Sequence, residues 1–388
     1  MKWVNVLHLY QPANIESNKI VEATNLSYER IIRALEDCPQ ARITLNIAGS
    51  LLKRWVEEFS YLDLVERIKK LIRSGQVELL GSAAYHALLP LVPEREALKQ
   101  IVEQENVLRE HFGEDLQLKG FFLPELAYSA DIARLIKSRG YEWILVDEIA
   151  FSGSFGNVDW SKKYTDTNSG LSVVFRHRAY SESYVPTTLL EILEGGKSES
   201  MVVTASDAEL YGLRHLDHLF EFENLLCHPR LEPVTVSDYL GGLSKIDEVG
   251  VVASSWQSSP LELKRNQAFN LWKKPTNKLH KKLWELADFA EELCFVNSND
   301  DNILWSRWHL VRGLASCVFW WASAHDFSQV YGPIAWSPDE VNKGIDELVR
   351  AVRSLKGIDV ETRLKAEKMA SSIRLNLWQE HWRHHAII

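Results

Sequence analysis

The chain has 388 residues, 46% hydrophobic and 25% charged, which suits one large α/β unit with a further helical region and excludes wholesale disorder. Its net charge of −9 lacks the basic footprint of a nucleic-acid binder, so no nucleic-acid partner is expected; a neutral small molecule or polymer is not repelled.

Through residue 205, short β-rich runs alternate with helical patterns. Strands are expected at 2–9, 42–47, 76–81, 118–122, 143–146, 172–175 and 201–204, with helices such as 62–73, 94–111 and 129–139 between them. This alternation predicts a parallel sheet with crossover helices. Seven mostly buried apolar strands favour an α/β fold of the (β/α)7 type, a distorted and nearly closed barrel. The segment 151–170, rich in Gly, Ser, Asp and Asn, breaks the rhythm as a long loop or hairpin. After residue 251 the pattern turns helical, at 261–271, 277–293, 303–324, 338–355 and 360–382. The expected organisation is a barrel over 1–255 and a helical C-terminal domain over 256–388 packed across its mouth.

Asn5 and His8 interrupt the N-terminal apolar run, so a signal peptide is not expected, and the longest apolar run, 313–324, is too short to span a bilayer. No membrane partner and a cytoplasmic location follow as expectations; oligomeric state leaves no trace in the sequence. Cys38, Cys227, Cys294 and Cys317 show no CxxC spacing and read as reduced core thiols. Ten of the 14 tryptophans lie at or after Trp256. Such residues pack helical cores well, and their faces also stack on sugar rings.

In βα barrels the functional side chains gather at the C-terminal ends of the strands. Those ends read His8-Leu9-Tyr10-Gln11-Pro12, then Gly81 through Tyr85-His86, Leu123-Pro124-Glu125, Asp147-Glu148, Arg176-His177-Arg178, and Asp207-Ala208-Glu209-Leu210-Tyr211-Gly212. Every strand end but the second delivers ionisable groups, each of which must be paired if buried. Glu125 and Asp207 each follow an apolar strand. On different strand ends they can face one another across a single pocket, the arrangement that glycoside hydrolysis requires. A strand-end carboxylate also serves as a helix cap or ion-pair partner, and spacing alone leaves that reading open.

Five segments in order resemble the motifs of glycoside hydrolase family 57. They are His8-Leu9-Tyr10-Gln11-Pro12; Gly75 to Gly81 extended by Tyr85-His86 and Leu88-Leu89-Pro90-Leu91; Phe122-Leu123-Pro124-Glu125; Asp207-Ala208-Glu209-Leu210-Tyr211-Gly212; and Arg312 to Trp321, read as one helix that sets aromatic and polar side chains over the site. Tyr10 stands where many members carry a second histidine. The resemblance implies a retaining α-glycosidase or transglycosidase acting on α-linked glucans or oligosaccharides, with Glu125 as nucleophile and Asp207 as general acid/base. It requires no cofactor and no metal. It implies sugar contacts from His8, Gln11 and His86, and extends to Glu209, Tyr211, Trp320 and Trp321. The two carboxyl groups are then expected roughly 5–6 Å apart.

Several residues carry two readings. His86 is a sugar donor or a satisfied core histidine. Arg178 holds the nucleophile ionised, or pairs with Asp147, Glu148 or Glu182. Trp256 is a sugar platform or packing at the junction, and Glu209 supports Asp207 or caps the next helix. At the level of the whole protein, the alternatives are a metal-dependent carbohydrate hydrolase or deacetylase on a related barrel, with His8 and His86 as ligands, and a carbohydrate-binding homologue without turnover.

Overall fold

The computed structural model describes residues 1–195, 199–324 and 335–385. Among the described residues ten strands form in chain order: β1 (Lys2–Leu9), β2 (Ile43–Ile47), β3 (Val77–Leu79), β4 (Gly120–Phe122), β5 (Trp143–Asp147), β6 (Lys162–Asp166), β7 (Ser172–Arg176), β8 (Met201–Asp207), β9 (Glu232–Val234) and β10 (Lys245–Val249). They make two sheets, β3-β2-β1-β8 with β9 added to β1, and β10-β6-β7-β5-β4. All pairings are parallel except β6 with β7.

The two sheets meet at two seams. At one, Gly81 N–H donates to Gly120 O (3.0 Å) and Phe122 N–H donates to Gly81 O (2.8 Å). A Cβ at Gly81 would lie 2.0 Å from the Tyr141 hydroxyl, so the seam accepts only glycine there. At the other, His177 N–H donates to Val203 O (2.8 Å). The circuit β1-β2-β3-β4-β5-β7-β8 is thus a seven-stranded distorted barrel whose ladder is interrupted at the seams rather than closed. The seven strands fall where buried apolar runs predict them, within a few residues at the ends.

The helix Glu94–Phe112 shows how sequence positions the strand ends. Pro93 and two glutamates open it, and Gly113 at φ 123° ends it. Its buried Gln104 accepts from Gly49 N–H (2.7 Å) and donates to Ile47 O (2.8 Å), while Gln100 accepts from Tyr85 N–H (3.0 Å). The turns after β2 and β3 are therefore fixed by side-chain amides. Buried Glu96 on the same helix pairs with Arg307 (2.8 Å) of the helix Ile303–Gly313 and ties the barrel to the C-terminal helices.

Those helices, Lys278–Val296, Ile303–Gly313, Ser316–Trp320, Pro338–Ser354 and Val360–Glu380, share one hydrophobic core with the β4–β7 side of the barrel. Two expectations change here. The helix expected over 261–271 is short, Pro260–Lys264; a Ser259/Glu262 capping box starts it and the chain turns away at Asn266, φ 55°. The continuous helix expected over 303–324 breaks after Gly313, where a Cβ would meet Leu348 at 2.7 Å, and Ala315 bridges Ala87 as extended chain.

Within the expected loop 151–170 lies β6, antiparallel to β7, which selects the hairpin reading. Cys38 and Cys227 are joined as a disulfide with Cα atoms 6.0 Å apart, which corrects the reading of all four cysteines as thiols; Cys294 and Cys317 are free and buried. No described helix is long and apolar enough to cross a membrane.

Candidate active site

Parallel register sets the first layer. His8 on β1 lies beside Asn46 on β2 and beside Asp207 on β8, so three strand ends present polar side chains at one level. His8 Nδ1–H donates to Asn46 Oδ1 (2.7 Å), and burial lowers the His8 pKa to about 4. The neutral ring is stacked between Phe122 (4.6 Å) and His86 (4.7 Å), and Tyr10 stacks on His86 (4.1 Å). The rings of His8, His86 and Tyr10 wall a cavity of about 300 Å³ lined also by Gln11, Pro12, Ile15, Glu125, Asp207, Glu209, Arg214, Trp256, Gln257, Cys317, Trp320 and Trp321.

Glu125 sits on a one-turn segment, Pro124–Leu126, directly after β4. Its φ of 60° and that of Leu126, 48°, lie in the left-handed region, as does His86 at 59°. Non-glycine residues adopt this conformation at a cost of order 1–3 kcal/mol, and it concentrates at functional sites. Here it aims the carboxylate into the cavity. Backbone bonds from Trp256 N–H to Glu125 O (3.1 Å) and from Tyr128 N–H to Ser254 O (2.8 Å) hold the turn.

Both carboxylate oxygens of Glu125 have donors. Trp256 Nε1–H donates to Oε2 (2.9 Å) and Ser316 O–H donates to Oε1 (2.8 Å). Burial raises its pKa to about 7; the Ser316 and Trp256 bonds act against that rise and the Asp207 charge adds to it.

In the same cavity, Arg214 Nη1–H donates to Asp207 Oδ2 (2.7 Å). Glu209, buried in the following turn, accepts from Gln11 (2.8 Å) and, in a shorter bond, from the Tyr28 hydroxyl; burial pushes its pKa up and Arg214 partly offsets this. Gly212, φ 115°, returns the chain so that Arg214 reaches back; a Cβ there would lie 2.2 Å from Leu26 O.

The structure thus gathers Glu125, Asp207, His8, Gln11, His86, Glu209, Trp256, Trp320 and Trp321 around one cavity. Two sequence-predicted residues are not among its lining. Arg178 does not contact Glu125: it pairs with buried Asp147 (2.8 Å) and donates to Ser258 O (2.9 Å). Arg176 shares Asp147 (2.7 Å) and reaches Trp256 O (3.4 Å), so the two arginines brace the loop that carries Trp256. Tyr211 is fully buried against Phe222 and Tyr184, where its ring fills core volume. Trp256 is only 9% exposed with its indole N–H committed to Glu125, so it is a wall and a donor rather than an open platform.

Asn46, Tyr28, Arg214, Gln257 and Ser316 escaped the strand-end rule. Arg214 carried a usable signal, a cation just beyond the Asp207–Gly212 motif. Among the described residues no group of three or more His, Cys, Asp or Glu side chains is arranged to hold a metal.

Two carboxylates in one cavity at the C-terminal rim of a parallel βα barrel, walled by aromatic rings, are features of the barrel glycosidases as a class. The chain belongs to glycosyl hydrolase family 57, whose model matches residues 7–232. It is 26% identical over 287 residues to the 4-alpha-glucanotransferase of Thermococcus litoralis, covering 68% of this chain and 42% of that protein. To the alpha-amylase of Pyrococcus abyssi it is 24% identical over 227 residues, 56% of this chain and 34% of that one. The chain therefore spans less than half the length of these relatives. In fold it resembles the crystal structure of a branching enzyme from Pyrococcus horikoshii (TM-score 0.71, 16% identity, 97% of this chain and 96% of that one). It also resembles that of the Thermococcus litoralis 4-alpha-glucanotransferase (TM-score 0.68, 18% identity, 92% and 60%).

Proposed function

We propose that the protein is a retaining α-glycoside hydrolase or transglycosidase that acts on α-linked glucans or oligosaccharides. The observation that carries this reading is Glu125, a strained, buried carboxylate with a donor on each oxygen, in the same cavity as Asp207. In the first step a Glu125 oxygen attacks the anomeric carbon from the face opposite the leaving group. The bond from that carbon to the leaving oxygen breaks, and Asp207 gives its proton to that oxygen. In the second, Asp207 takes a proton from water or an acceptor hydroxyl, which displaces Glu125 and restores the α configuration. Family membership and relatives named for amylase and glucanotransferase activity support an α-glucan as substrate.

In this reading the chain after residue 255 acts with the barrel as a cover over the site, since Trp256, Cys317, Trp320 and Trp321 line the cavity. The cytoplasmic location inferred from the sequence belongs to the same proposal. The Cys38–Cys227 pairing weighs against it, because disulfides persist mainly in oxidising compartments.

The test is the pair Glu125→Gln and Asp207→Asn, assayed on maltooligosaccharides and on an aryl α-glucoside. Glu125→Gln is expected to lose turnover on both. Asp207→Asn is expected to keep more of the first step with the aryl leaving group, accumulate the glycosyl-enzyme, and be rescued by azide to an α-glycosyl azide, since azide needs no base. Wild-type rates for both variants on a substrate the wild type cleaves refute the assignment.

A further inference from the structure

We propose that His86 and Ser316 form a one-way hydrogen-bond relay from a sugar hydroxyl to Glu125, so that recognition of that hydroxyl and ionisation of the nucleophile are coupled. The proposal rests on the reading of Glu125 as nucleophile.

Proton counting fixes the direction. Ser316 has one hydroxyl proton, and it is used on Glu125 Oε1 (2.8 Å). Its oxygen is therefore an acceptor toward His86 Nδ1, 2.9 Å away. Burial, with the neighbouring His8 as a second cause, holds the His86 pKa well below the ordinary imidazole value, so the ring carries one proton, and that proton is on Nδ1. Nε2 is left as a lone pair. It is buried, it has no hydrogen-bond partner among the described residues, and its ring lines the cavity. Its complement is a donor, and a sugar hydroxyl supplies one.

With a sugar bound, the bonds run sugar O–H to Nε2, Nδ1–H to Ser316 Oγ, and Ser316 O–H to Glu125 Oε1. All three donate toward the carboxylate, so each polarises the next. The chain works against the burial that disfavours ionised Glu125, and it does so when a substrate is in place. His8 makes an instructive contrast. It too presents an unpartnered Nε2, but its Nδ1–H ends on Asn46, away from Glu125. His8 can bind a hydroxyl without tuning the nucleophile; His86 does both.

Backbone geometry holds the relay. Ser316 N–H donates to His86 O (3.0 Å), Ala315 bridges Ala87, and His86 has φ 59°. The groups that face Glu125 are His86 (3.8 Å), Asp207, Tyr10 and Cys317. Burial keeps Tyr10 and Cys317 neutral, so neither adds a charge beside Glu125, and burial is the main effect against which the relay acts.

Ser316 is a positioning residue, and its test reads ionisation. The probe is 5-fluoro-α-D-glucosyl fluoride, which traps the glycosyl-enzyme and marks the nucleophile for peptide mapping. The rate of trapping is followed against pH in wild type, Ser316→Ala and Ser316→Thr. Loss of one donor to a carboxylate is expected to move the acidic limb of Ser316→Ala up by about one to two pH units, about tenfold or more in rate below the limb. Ser316→Thr, which keeps the hydroxyl, is expected to restore it. His86→Asn, a residue that tolerates the left-handed backbone, is expected to shift the limb in wild type and not in Ser316→Ala. A label on Glu125 with an unmoved limb in Ser316→Ala, or equal His86→Asn shifts in both backgrounds, overturns the relay alone. A label elsewhere, or none, overturns the nucleophile assignment and the relay with it.

Discussion

Glu125 offers a direct measurement of what the site costs the fold. Its pKa is about 7 in the structure against an ordinary value of 4.5, and its side chain is 14% exposed, so solvent screening is small. The folded state therefore holds a proton more tightly than the unfolded chain. Below pH 4.5 both states are protonated and the group is neutral for stability. Between 4.5 and 7 the unfolded chain releases its proton first, so stability falls as pH rises, and above 7 the full cost is present. The difference of 2.5 pH units corresponds to about 3 kcal/mol. Glu125→Gln removes this titration while keeping size and shape. Its amide cannot satisfy both the Trp256 and the Ser316 donors, which costs on the order of 1 kcal/mol at every pH. The pH-dependent part is separable from that constant. Relative to wild type, Glu125→Gln should gain roughly 4 °C in Tm between pH 4.5 and pH 8 for a chain of this length. Thermal melts followed by circular dichroism at both pH values measure it. If the Tm difference between variant and wild type is the same at both, burial does not raise the Glu125 pKa, and Glu125 is not a desolvated carboxylate.

Trp256→Phe keeps an aromatic wall and removes the indole donor to Oε2. It should move the acidic limb of kcat/KM upward and lower kcat/KM by roughly 10- to 100-fold, as expected for a bond to a charged group; an unchanged pH profile on an aryl α-glucoside refutes the role. Trp321→Ala at the cavity wall should raise KM for maltooligosaccharides more than for an aryl glucoside, by roughly tenfold if one sugar ring stacks there. Equal changes for both substrates in steady-state kinetics would assign Trp321 to packing.

The circuit of seven strands was legible because strands buried on both faces read as unbroken apolar runs, and crossover helices have a different period. The additional strands were not. β10, Lys-Ile-Asp-Glu-Val, has four of its five residues exposed, and β9 has three residues with Pro233 at its centre. Both lie outside the circuit and carry little apolar signal. The break at 313–316 was invisible for another reason. Gly313-Leu314-Ala315 fits a helix locally, and the tertiary bridge between Ala315 and Ala87 ends it. At the site, the strand-end rule found both carboxylates because they are ionisable and sit beside apolar runs. It missed Asn46, Tyr28 and Ser316 because neutral polar residues are common, and because Ser316 stands 191 positions from the oxygen it serves.

That distance has a consequence for how the site is divided along the chain. The segment that matches the family, 7–232, contains both carboxylates and both cavity histidines. Neither side-chain donor to Glu125 lies within it. Trp256 comes from the loop braced by Arg176 and Arg178, and Ser316 from the first turn of a helix that exists because the preceding one was broken. Had the helix over 303–324 been continuous, Ala315 could not extend against Ala87, and Ser316 N–H would bond within the helix instead of to His86 O. The barrel thus supplies Glu125, whose ionisation burial opposes, and the chain beyond residue 250 supplies the hydrogen bonds that set how far that opposition goes. Changes confined to the 254–258 loop or to the Gly313–Ser316 break are therefore expected to alter the pH range of activity while leaving Glu125 and Asp207 in place.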